Sequence, residues 1–168
     1  MLGLMADIQL NWRLRKLRKR KRKQPANWQA VEKIAVIINS ANPVNKNEID
    51  RQLHGLGKYA EVFFVETANK KPTYGDWTCF TREHVNVFGL PRKKVMENLQ
   101  KQTFDMVINT SPYPDRFSAM VSACIPSSFN CVCNNDLRQA DLNIVADSKE
   151  GAANLLSQAF YYLQMIRA

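Results

Sequence analysis

The stretch Lys33-Ile34-Ala35-Val36-Ile37-Ile38-Asn39 (KIAVIIN) decides the fold. It is apolar on both faces and rich in β-branched residues, the pattern of a strand buried between two layers in a parallel sheet. Working outward, Asn45 and Glu48 carry the N-x-x-E spacing of a capping-box-like helix start, and Ile49, Leu53 and Leu56 continue one helical face. Gly55 and Gly57 end that helix, and Ala60–Glu66 (AEVFFVE) reads as the next strand. Residues 67–76 are a polar loop, Trp77–Thr81 a short edge strand, and Glu83–Phe88 fits either state. Pro91 is expected in the first turn of a helix whose buried row is Val95 and Leu99. Phe104–Asn109 (FDMVIN) is again continuously apolar, followed by a helix over 114–123 and strands over Phe129–Cys133 and Leu142–Ala146. Ser148 is the expected cap of a last helix with Leu155, Leu156, Ala159, Phe160, Leu163 and Ile166 inside. Strands and helices alternating at this spacing imply βαβ units. The expected fold is α/β, a three-layer sandwich with a mostly parallel sheet, flavodoxin-like or Rossmann-like, preceded by a basic helical arm.

At 168 residues the chain suits one ordinary domain, and its longest aliphatic run, Ile34 to Ile38, is five residues, far short of a membrane span. Gly and Pro total 13, too few for a collagenous chain, and four cysteines do not make a disulfide scaffold. Nothing reads as a secretory signal, so a cytoplasmic location is expected. Charge is distributed unevenly. Residues 1–23 hold nine of the 24 basic side chains and one of the 15 acidic ones, a net of +8 within a total of +9. The division expected is an arm over 1–25 and a single α/β domain over 26–168.

The blocks KIAVIIN, FTREHVNVFGLPR (80–92), FDMVINTS (104–111) and DLNIVADSKEGAANLLSQAFYYL (141–163) together resemble a family of Bacteroidota proteins of unknown function. The resemblance covers roughly residues 8–168 and implies a bacterial cytoplasmic protein with a small α/β body and a basic N-terminal segment. It implies no catalytic residues. One departure from the resemblance is the loop after this strand, usually acid-containing in the family and here the Pro-rich TSPYPD (110–115).

The chain has neither G-x-G-x-x-G nor G-x-x-x-x-G-K-[ST], and the loop after the first strand, 39–43, contains no glycine. Pyrophosphate binding needs backbone N–H groups that glycine lets approach closely, so dinucleotide or P-loop chemistry is not expected. No cofactor, metal or catalytic residue is assigned. Cys131 and Cys133 share one face of a strand, a spacing that suits buried thiols better than zinc. His54 and His84 have no neighbouring nucleophile motif. Ligands of open α/β sheets bind outside the strand carboxyl ends, which makes Ser40, Asn42, Thr110, Ser111, Tyr113 and Asp115 the candidate ligand loop, for a phosphate above all. The competing reading is that these are simply good turn residues.

The arm has three readings. Arg13, Arg15, Lys16, Arg18, Lys19, Arg20, Lys21, Arg22 and Lys23, interleaved with Trp12, form a basic segment of the kind that lies along nucleic-acid phosphates. Met1, Leu2, Leu4, Met5, Ile8, Leu10 and Trp12, followed by the cations, also suit an anionic membrane surface. The third reading is a helix packed on its own body. Six consecutive cations over 18–23 favour a polyanion, because repulsion among them needs an outside counter-charge. RNA or a ribonucleoprotein, ribosomal included, is the expected partner of a non-enzymatic binding protein. A small-molecule enzyme using the carboxyl-end loops is the alternative, and Lys70, Lys71, Arg92, Lys93, Lys94 and Lys101 form a second basic group.

Overall fold

The structure is a computed structural model that describes residues 8, 28–66, 74–111, 115–133, 140–145 and 150–166. Six strands, β1 (Lys33–Asn39), β2 (Tyr59–Val65), β3 (Thr78–Phe80), β4 (Phe104–Asn109), β5 (Ser127–Cys133) and β6 (Leu142–Ile144), form one sheet in the order β3-β2-β1-β4-β5-β6. Every pairing is parallel. The order reverses between β1 and β4, the arrangement of doubly wound α/β proteins. The polar segments 39–42 and 109–111 therefore leave the sheet side by side.

β1 is central, as its composition requires. Ile34, Ala35, Val36, Ile37 and Ile38 are fully buried, and Val36 lies in register between Val62 and Ile108. Successive side chains serve opposite cores. Ile34, Val36 and Ile38 face helices α1 (Lys46–Gly55) and α4 (Ala152–Met165), while Ala35 and Ile37 face α2 (Lys93–Leu99) and α3 (Arg116–Cys124). Two helices on each face give three layers.

Asn45 caps α1, its side chain accepting from Glu48 N at 3.3 Å. The reciprocal half of the box is absent, because Glu48 turns to Arg51 and Gln52 instead. Pro91 stands outside the helix it was expected to open. It pairs with Val85 in an isolated bridge, and Arg92 occupies the cap of α2. The last helix starts later than Ser148 implies, with Gly151 in the cap position and the Ala152 N–H donating to Pro43 O at 3.0 Å. A Cβ on Gly151 would stand 3.2 Å from that oxygen, so this close approach between α4 and the loop after β1 suits glycine. Ser148 lies outside the described residues. Among the described residues no helix is long and apolar enough to cross a membrane.

Candidate functional site

The arm's cations, 13–23, and Trp12 lie outside the described residues. The body is described from Trp28 onward. Trp28 opens a short 3-10 turn and packs on Phe160 of α4, ring centroids 5.9 Å apart. The Lys58 ammonium sits 5.0 Å above the Trp28 ring and donates to Trp28 O at 3.0 Å and Val31 O at 2.6 Å. Trp28 therefore lies on the α1/α4 side of the sheet. Arg92, Lys93, Lys94 and Lys101 are exposed on and beside α2, which packs on the opposite face of the sheet. The described part of the second basic group is thus on the face of the sheet away from Trp28, and its Lys70 and Lys71 lie outside the described residues.

At the carboxyl-end crest the structure brings the loop residues together but commits most of their polar atoms to each other. Asn42 Nδ2 donates across the switch point to Thr110 O at 2.9 Å, and Thr110 donates through both its N–H and its hydroxyl to Ile37 O at 3.0 Å. Ser40 N donates to Val65 O and its hydroxyl to Glu66, each at 2.9 Å. Asp115 caps α3, one carboxylate oxygen accepting from the Ser118 N–H and hydroxyl at 2.8 Å and from Asn39 Nδ2 at 3.4 Å. A phosphate at this helix terminus would meet that carboxylate where it needs free N–H donors. The Thr110 hydroxyl is spent on backbone, and Tyr113 lies outside the described residues. Asn109 Nδ2 and Ser111 Oγ are buried without a hydrogen-bond partner. The crest works chiefly as a polar stitch that fixes β1 against β4.

A cavity of about 440 Å³ opens elsewhere, at the amino end of β2, between that strand, the second half of α1 and the turn before β3. Its lining includes Asp50, His54, Lys58, Tyr59, Glu61, Asp76 and Trp77. Trp77 is its buried floor, stacked on Tyr74 at 5.1 Å and held by Nε1 donating to Asp50 at 3.0 Å. Lys46 lies 5.2 Å over the Trp77 ring and bridges Asp50 and Asp76, and Asp50 holds the lysine above its ordinary pKa. Asp76 is lowered by a backbone hydrogen bond of its own and then by Lys46, so it stays ionised at neutral pH. His54 Nδ1 meets the Asp50 carbonyl at 2.7 Å. Because a carbonyl only accepts, Nδ1 carries the hydrogen of that bond.

Sequence reasoning missed this cavity. Asp50 and His54 are one helical turn apart on the outward side of α1, a pair visible in the sequence, but nothing local says that Trp77 and the start of β2 close the space beside them. His84 is structural: its Nδ1 accepts from Thr81 N at 3.0 Å, and its ring meets Phe80 edge-on. Cys131 and Cys133 are buried in the α1/α4 core and Cys124 in the other, and desolvation pushes the Cys133 thiol up to about 12.

No curated protein and no solved structure matches the chain. The model of one family does match, over residues 7–166, a span that takes in the cationic segment together with the sheet, the crest and the cavity. The chain belongs to that family, a family of unknown function (DUF6913).

Proposed function

We propose that the protein is a non-enzymatic RNA-binding protein of the cytoplasm, working on RNA or a ribonucleoprotein such as the ribosome, with Arg13 through Lys23 laid along phosphates. The observation that carries this reading is the charge asymmetry, +8 in residues 1–23 against +1 in the other 145. Each phosphate neutralised releases condensed counterions and supplies affinity without reading sequence. Five of the nine cations are arginines, which grip phosphate with two parallel hydrogen bonds and stack on unpaired bases.

The body's own charges support it. Asp50 and Asp76 are held by Lys46, Glu48 by Arg51 and Glu97 by Lys93. Asp105 accepts from the Glu32 and Lys33 N–H groups, Asp115 caps α3, and Glu150 holds Gln158. Carboxylates already engaged in this way are poor counter-ions for a run of nine cations. The family match over residues 7–166 includes the cationic segment, which supports the reading.

The test is to purify the full chain without nuclease and read its 260/280 nm absorbance ratio before and after a high-salt wash, beside a chain lacking residues 1–23. Nucleic acid carried by the full chain and shed in salt, with none on the truncated chain, is the expected result. Equal RNA retention by both chains overturns the reading. Flotation with anionic liposomes that survives high salt would assign the arm to a membrane surface instead.

A further inference from the structure

We infer that the crest between β1 and β4 binds an uncharged hydroxyl-bearing ligand of the sugar class, gripped by Asn109, Ser111 and Asp115 beside the first turn of α3. The inference is independent of the RNA-binding reading, since none of these residues belongs to the cationic segment.

Position is the first argument. Ligands of doubly wound sheets bind outside the strand carboxyl ends where the strand order reverses, and Asn109 and Ser111 stand at that point, at the end of β4 and just beyond it. Alternation sets Asn109 on the face of Val107 and Asn39 on the face of Ile37, the face that α3 covers. Ile37 and Asn109 are in register, and Asn39 Nδ2 reaches both Asp115 and the Ser118 hydroxyl at 3.4 Å. Both strand ends thus place an asparagine beneath the same helix terminus.

Unspent polarity is the second argument. Asn109 is fully buried and Ser111 is 1% exposed, yet Nδ2 of the one and the hydroxyl of the other have no hydrogen-bond partner. The two residues are joined through their other atoms, Ser111 N donating to Asn109 Oδ1 at 3.0 Å, so these groups are held side by side. A buried donor left unpaired forfeits its bonds to water and gains none, and folded proteins keep few of them. The neighbouring carboxylate is half used. The bonds from Asn39, the Ser118 N–H and the Ser118 hydroxyl all fall on Asp115 Oδ2; Oδ1 takes part in none of them, and the residue is partly exposed.

Chemistry selects the ligand. Asn109 and Ser111 offer two donors, and Asp115 Oδ1 offers an acceptor. A phosphate accepts but is repelled by the carboxylate, and an ammonium group donates but meets the amide hydrogens of Asn109. An alcohol hydroxyl carries two lone pairs and one hydrogen, which match two donors and one acceptor without adding charge. Sugars present such hydroxyls on adjacent carbons, so one molecule engages the amide and the carboxylate together.

The experiment titrates the full chain with D-ribose, with inorganic phosphate and with tetrahydrofuran, a cyclic ether without hydroxyls, and follows its amide NMR signals. Ribose is expected to move the Asn109 side-chain and Ser111 backbone signals saturably, while phosphate and the ether leave them in place. Ser111→Ala, and Asp115→Asn, which keeps the helix cap but turns the second oxygen into a donor, are each expected to weaken ribose binding by about tenfold, the worth of one hydrogen bond. The denaturant midpoint of Ser111→Ala is expected to stay level or rise, because the hydroxyl removed has no partner in the fold. Ribose that leaves these signals in place, or moves them no more than the ether does, overturns the inference. Phosphate moving them instead would make the crest an anion site, and a lowered midpoint for Ser111→Ala would make the hydroxyl part of the fold; either result also overturns it. The RNA-binding reading stands through all of these, since its own test rests on residues 1–23.

Discussion

At the scale of single residues, burial decides which groups are available for chemistry. The thiolate is the reactive form of cysteine, and for Cys133, with its thiol near 12, that form is on the order of 10⁻⁴ of the population at pH 8. Cys131 is raised in the same direction by the same loss of water, with Cys133 beside it adding to the effect. Only Cys79 of the four is partly exposed. Native protein treated with iodoacetamide at pH 8 and weighed by mass spectrometry is therefore expected to take one label, at Cys79, and all four cysteines are expected to react after unfolding. Fast native labelling of Cys131 or Cys133 would mean that this core opens readily. Asn42 makes a second case. Its amide is the donor that satisfies the buried Thr110 carbonyl, so Asn42→Ala leaves a buried acceptor unpaired and is expected to cost about 1–3 kcal/mol. Denaturant midpoints at constant m-value measure it, and a change under about 0.5 kcal/mol would mean that water replaces the amide.

Among the elements, α3 and α4 show what local sequence does and does not encode. The sequence reads as a helix over 114–123 with Asp115 in a ligand loop, whereas the structure makes Asp115 the cap, its carboxylate accepting from the Ser118 N–H and hydroxyl. Asp115→Ala is expected to cost about 1–2 kcal/mol in chemical denaturation, while Asp115→Asn, which keeps an acceptor, is expected to recover most of it. A loss equal in both variants would place the stabilisation in the charge and not in the cap. The strands were legible, since KIAVIIN and FDMVIN are apolar on both faces and only a central strand between two layers buries both. The starts of α2 and α4 were not. Pro91 is drawn out of its helix by a bridge to Val85, and α4 begins where Gly151 meets Pro43, more than a hundred residues away in the chain. A helix start fixed by a distant partner has no local signature.

In the molecule as a whole, the crest lies at the carboxyl ends of the strands and the cavity at the amino end of β2. The switch point between β1 and β4 is the usual ligand position, and Ser40, Asn42, Thr110 and Asp115 were legible as polar residues there. Their commitment to one another was not, because it depends on which loop atoms meet across the sheet. The cavity depends likewise on Trp77 folding over α1, a tertiary fact. What remains wholly legible is the separation of charge, and it makes a quantitative prediction. If the nine cations of residues 13–23 each neutralise a phosphate of a single strand, log K falls against log salt with a slope of up to about −6, at roughly 0.7 per phosphate. Replacing Arg20, Lys21, Arg22 and Lys23 by Gln is then expected to make the slope shallower by about 3, because four phosphate contacts are lost. Charge reversals on α2, such as Lys94→Glu, are expected to move it far less, since that helix packs on the face of the sheet away from Trp28. Anisotropy titrations from about 50 to 200 mM salt separate the cases. A slope set by the α2 cations and indifferent to residues 20–23 would shift the polyanion interface from the arm to the body.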